Sequence, residues 1–148
     1  MPGSAGRVCV CVEWTVARES DPNQPATEAE AIVHGCLFQI SAANRDKTLA
    51  YLDVREKGGY QSICVPVFSS ESGDLLCESA VVFSADANNE FWCADSSLED
   101  IARIIHSSVG PSGPNLEYFE RLAAWLRDHD AHDAHIADLE RHVARLKL

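Results

Sequence analysis

No apolar run in the sequence approaches the length of a membrane span, so nothing in it reads as a transmembrane helix. The first residues, Met1 to Gly6, are small and lack the apolar stretch of a secretory leader, and a cytoplasmic location is expected. Cations are scarce: 12 Lys and Arg face 23 Asp and Glu, for a net charge of −11. Such a surface repels phosphate backbones, so nucleic acid is not an expected partner. The six cysteines include no Cys-x-x-Cys pair. Cys9, Cys11, Cys36, Cys64 and Cys77 sit in or beside apolar, strand-like runs, and Cys93 follows Phe91 and Trp92. They read as buried free thiols rather than as three disulfides or a zinc site. There is no internal repeat and no low-complexity tract.

What is present suits one globular domain spanning residues 1–148. A chain of 148 residues that is 46% hydrophobic and 24% charged can bury one core. Arg7 to Val16 (RVCVCVEWTV) reads as a strand, and the Asp- and Pro-bearing stretch from Ala17 to Glu28 as a loop. Ala31 to Ile40 (AIVHGCLFQI) reads as a second strand, in which Gly35 suggests a bulge or a close backbone approach. Asn44 to Val54 changes period and reads as a short helix, capped by Asn44 and stopped at Gly58-Gly59. Gln61 to Phe68 (QSICVPVF) and Cys77 to Ala85 (CESAVVFSA) read as strands around a hairpin turn at Glu71 to Asp74. Pro66 puts the first of these at an edge or a bulge.

The second half is helical. Ser97 with Asp100 forms a capping box, and Ile101, Ile104, Ile105 and Val109 mark an apolar face. The GPSGPN run from Gly110 to Asn115 breaks the chain, with Asn115 as the expected cap of the next helix. Leu116, Phe119, Leu122, Ala123 and Leu126 form that helix's stripe. A last helix is expected from about Asp133 to Leu146, with Ile136, Leu139, Val143 and Leu146 inward. Strands with one inserted helix, followed by helices, make an α+β pattern. His129, His132 and His135, interleaved with aspartates, read as a polar connection rather than a metal site.

The most informative segment is YLDVREKGGY, Tyr51 to Tyr60. A helix ends in Arg55-Glu56-Lys57 and runs straight into a glycine turn. Glu56 therefore stands at the end of the helix whose dipole does not favour a carboxylate. From spacing alone, a solvated charged turn and a functional carboxylate both remain open.

This segment closely resembles the signature of the ChaC-like γ-glutamylcyclotransferases. GPSGPNLEY (Gly110 to Tyr118), SSLEDIA (Ser96 to Ala102), DAHIADLE (Asp133 to Glu140) and Gly6-Arg7-Val8 resemble further segments of the same family, in the same order. The resemblance implies a small mixed β-barrel or curved sheet with C-terminal helices. It implies that glutathione is cyclised to 5-oxoproline with release of Cys-Gly, without a metal or organic cofactor. It makes Glu56 the general acid/base and places Gly58, Gly59 and Tyr60 beside the substrate. Arg55 and Lys57 are then candidates to orient Glu56 or the substrate carboxylates.

The sequence departs from the family pattern in two places. It has no Tyr-Gly-Ser-Leu turn, which in family members cradles the γ-glutamyl moiety, and it carries Lys47 where some members have a further Glu. The expectation is thus a fold incomplete at its N-terminus and an isolated chain of weak or no activity. The alternative is a catalytically impaired short form that acts as a non-enzymatic binding or interaction protein.

Overall fold

The computed structural model describes residues 6–7, 31–56, 58, 60–85, 89 and 97–147. The expected strand from Arg7 to Val16 lies outside these residues except for Arg7, and the expected loop after it lies wholly outside them. The chain divides into two compact units, Val10–Ala94 and Met1–Cys9 with Asp95–Leu148.

In the first unit, a 3-10 turn at Ala42–Asn44 leads into helix α1, Arg45–Arg55. Asn44 is not the cap expected of it. Its backbone is already helical, its side chain makes no capping hydrogen bond, and its N–H donates to the Ser41 carbonyl at 3.0 Å. The extra turn thus takes over the start of the helix. Along α1, Leu49 and Leu52 are half-buried while Tyr51 and Val54 are exposed. After a glycine turn come β1, Gln61–Phe68, and β2, Leu75–Ser84, which pair antiparallel from Gln61↔Ser84 to Phe68↔Leu75. The register shifts between Val65 and Val67, at the position of Pro66. Proline has no N–H for the ladder, so the irregularity falls where the sequence places it.

The hairpin closes as expected. Ser69 Oγ accepts from the N–H groups of Glu71 and Ser72 at 3.3 and 3.2 Å. Gly73, at φ 74°, supplies the left-handed residue of the turn. Burial alternates along β1: Ile63, Val65 and Val67 are half-buried, and Ser62, Cys64, Pro66 and Phe68 are exposed. Among the described residues these strands form an open hairpin bent by its register shifts, not a closed barrel.

Further expectations fail in this unit. Ala31 to Ile40 forms no strand, and Phe38 stands 82% exposed. A strand needs a ladder partner, and among the described residues β1 and β2 pair only with each other. Apolar, β-branched composition alone cannot supply that partner. Gly35 makes no close approach either, since a Cβ there would meet nothing within 4 Å. The cysteines are also misjudged in part. Cys36 and Cys64 are exposed and Cys77 is half-buried, all three as free thiols. Cys64 follows the pleat, which turns alternate side chains of β1 to its open face.

The second unit is built on α2 (Leu98–Ser107), α3 (Asn115–Asp128) and α4 (Ala134–Leu146). Its core joins Ala102 and Ile105 of α2, Phe119 and Ala123 of α3, and Ile136, Leu139 and Val143 of α4. All but Ala102 belong to the apolar stripes read from the sequence, and on α2 Ile101 and Ile104 are half-buried. Val109 and Leu146, expected inward, are exposed. Val109 lies past the end of α2, in the short strand β3 (Val109–Gly110), which pairs with β4 (Gly113–Pro114). Leu146 is the last residue of α4.

The capping box holds: Ser97 Oγ accepts from the Asp100 N–H at 3.2 Å. Asp133 caps α4 by accepting from the Ile136 N–H at 2.9 Å. Asn115 does something else. Pro114 takes the cap position of α3, and no side chain caps that helix. The Asn115 amide turns instead to the backbone of Arg7. The Arg7 N–H donates to Asn115 Oδ1 at 2.7 Å, and Asn115 Nδ2 donates to the Arg7 carbonyl at 2.8 Å. One side chain thereby imitates a β-ladder partner across 108 residues of sequence. The neighbour must be glycine, because a Cβ on Gly6 would meet Asn115 Cγ and Oδ1 at 2.9 Å.

Candidate functional site

Glu56 caps the C-terminus of α1, and its backbone N–H donates to the Leu52 carbonyl at 2.8 Å. It is half-buried. The helical period explains why. Leu49, Leu52 and Glu56 are spaced three and four residues apart, so they share one stripe, and that stripe is the half-buried one. The same period turns Arg55 outward. Its Nη1 donates to the Tyr51 hydroxyl at 3.1 Å, and the guanidinium lies 5.7 Å from the Tyr51 ring centroid. The hydrogen bond from Arg55 to Tyr51 raises the guanidinium's pKa above its ordinary value, so this group stays cationic beside Glu56.

Gly58 follows at φ 119°, a conformation that L side chains rarely adopt. Its carbonyl accepts a hydrogen bond from Asn89 Nδ2 at 2.8 Å. Tyr60, half-buried, precedes the first residue of β1. Gly59 and Lys57 lie outside the described residues. The structure thus brings Glu56, Gly58 and Tyr60 together on one short connection between α1 and β1, with Arg55 directed back along the helix.

Sequence reasoning missed Asn89. A signal for it exists in the register: Gln61 pairs with Ser84, so the end of β2 lies beside the start of β1. A polar residue a few positions beyond Ser84 is well placed to meet the turn before β1. His129 stacks on Trp125 at 4.3 Å between centroids, with Nδ1 2.8 Å from the Trp125 carbonyl. Among the described residues no group of His, Cys, Asp and Glu could hold a metal. A groove of about 470 Å³ on the helical unit is lined by Pro114, Glu117, Tyr118, Arg121, Leu122 and Trp125 among others. Its one carboxylate, Glu117, is paired with Arg121 at 2.5 Å.

Comparison with known proteins decides the family. The family described as ChaC-like protein matches residues 3–146. The chain belongs to the ChaC-like family. A glutathione-specific γ-glutamylcyclotransferase 1 of Danio rerio is 32% identical over 117 residues, covering 76% of this chain and 59% of the relative. A glutathione-specific γ-glutamylcyclotransferase of Schizosaccharomyces pombe is 30% identical over 114 residues, covering 75% of this chain and 56% of the relative. The chain therefore spans between half and two thirds of the length of these ChaC-like relatives. The crystal structure of a yeast γ-glutamyl cyclotransferase specific to glutathione superposes with a TM-score of 0.58 at 21% identity, over 74% of this chain and 58% of that one. The fold is thus the γ-glutamylcyclotransferase-like α+β fold expected from the sequence. No helix among the described residues of this ChaC-like chain is long and apolar enough to cross a membrane.

Proposed function

We propose that the chain is a glutathione-specific γ-glutamylcyclotransferase with Glu56 as its general acid/base. The observation that carries this reading is the half-buried position of Glu56 at the join between α1 and a glycine turn, within the segment that most resembles the family signature. The named relatives are all cyclotransferases, which favours this reading over a binding or interaction protein.

The chemistry asks little of the protein. The α-amine of the γ-glutamyl residue attacks the γ-amide carbonyl, closing a five-membered lactam. Because the reaction is intramolecular, holding the substrate in a bent conformation supplies much of the acceleration. Glu56 takes a proton from the α-ammonium and returns it to the departing amine, so one carboxylate serves both steps. Such a shuttle contributes about 10²–10⁴-fold. Backbone N–H groups at the glycine turn, with Gly58, Gly59 and Tyr60 around the substrate, are the proposed partners of the developing oxyanion. The products are 5-oxoproline and Cys-Gly. No step calls for a metal or an organic cofactor. The free thiols of Cys36, Cys64 and Cys77 suit a reducing compartment and support a cytoplasmic site of action.

The test is to incubate the purified, folded chain with glutathione and identify products by mass spectrometry. Slow release of 5-oxoproline and Cys-Gly in equal amounts is expected. Glutathione left intact by a folded chain would contradict catalysis and favour the binding reading. Glutamate among the products would mean hydrolysis instead of cyclisation.

A further inference from the structure

We infer that Asn89 is a positioning residue that fixes the turn carrying Glu56, an inference that rests on the reading above for its catalytic meaning. Glu56 is held on one side by the helix, through its N–H to the Leu52 carbonyl at 2.8 Å. On the other side the chain enters a segment with glycine at positions 58 and 59. Glycine gives that segment a wide choice of backbone conformations, and its ordering carries the largest entropy cost of any residue. Left to itself, the turn would let the end of α1 fray and the carboxylate wander. Asn89 Nδ2 removes that freedom by donating to the Gly58 carbonyl at 2.8 Å, from 31 residues away in sequence. Asn89 follows β2 in sequence, and the last residue of β2, Ser84, pairs with Gln61 at the start of β1.

The contact is well suited to its task. It is made to a backbone carbonyl two residues past Glu56, so it orients a peptide unit of the turn directly. Gly58 adopts φ 119°, and the hydrogen bond holds this unusual conformation in place. An acid/base group must sit within hydrogen-bond reach of the proton it moves, and an error of about 1 Å is worth about 10²-fold in rate. Asn89 is thus expected to act on the chemical step more than on substrate affinity.

The experiment compares the full chain with Asn89→Ala and Asn89→Asp, both of which lack the donor. Asp keeps the size and shape of Asn. Each protein is assayed with glutathione for kcat and KM separately. Each is also followed, without substrate, by hydrogen exchange of the peptide covering residues 52–62. The expected result is a fall in kcat of about tenfold or more in both variants, with KM within about twofold of wild type. Exchange in the 52–62 peptide should accelerate while Tm stays unchanged. An unchanged kcat, a full rate in Asn89→Asp, or a loss accompanied by a general fall in Tm overturns the inference. If the wild-type chain itself releases no product, the enzymatic reading has failed. Exchange then decides alone: acceleration confined to residues 52–62 upholds the hold of Asn89 on the turn, and unaltered exchange refutes it.

Discussion

At the scale of single residues, the side chains that organise this protein are small amides acting on backbone. Asn115 holds both polar groups of the Arg7 peptide, and Asn89 holds the Gly58 carbonyl. Sequence reading assigned Asn115 the commonest local role for its type, a helix cap, because the partner it uses lies 108 residues away. No local pattern announces such a contact, although the GPSGPN run marked the position as unusual. Two expectations follow. Asn115→Ala deletes both hydrogen bonds to Arg7 and should destabilise the protein by about 1–3 kcal/mol in a denaturant titration. The same variant should be cut faster by trypsin after Arg7, whose carbonyl loses its hydrogen bond. Gly6→Ala should destabilise too, because its Cβ would fall 2.9 Å from Asn115 Cγ. A Gly6→Ala protein as stable as wild type would mean that the clamp yields easily.

At the scale of elements, what was legible depended on whether the partner was close in sequence. α2 and α4 begin at caps three residues from their partners; the Ser97 cap stands where the sequence put it, and Asp133 falls at the expected start of the last helix. β1 and β2 are joined by a tight hairpin, so their pairing could be read from turn chemistry and from Pro66. Ala31 to Ile40 had equally good strand composition but no ladder partner among the described residues, and it forms no strand. The exposed cysteines fail for a related reason. Burial of a strand residue is set by which face is covered, and composition says nothing of that. The helical core gives the firmest expectation at this scale. Phe119 is 3% exposed at the meeting of α2, α3 and α4, and Phe119→Ala should cost about 3–5 kcal/mol by thermal or chemical unfolding. Asp133→Ala removes only a cap and should cost about 1 kcal/mol. A Phe119→Ala loss no larger than that of Asp133→Ala would contradict the core as drawn.

At the scale of the whole molecule, the site is one connection between a helix and a hairpin. The motif was legible because it is continuous in sequence: helix, charged triplet, glycine turn and strand occur in a row from Arg45 to Phe68. The orientation of Glu56 was not stated from the sequence, yet the period that half-buries Leu49 and Leu52 also turns Glu56 inward and Arg55 outward. The amide that holds the turn was not legible, since it arrives from beyond β2. Charge at this scale, −11 overall, does not choose a substrate. The assignment of chemistry therefore rests on one carboxylate. The most direct measurement is the rate of Cys-Gly release from glutathione by the wild-type chain and by Glu56→Gln, at matched Tm. Glu56→Gln keeps the size of the side chain and removes its capacity to carry a proton, and the rate should fall by about 10²–10⁴-fold. A Glu56→Gln protein that released Cys-Gly at the wild-type rate would contradict the assignment of Glu56 as the acid/base.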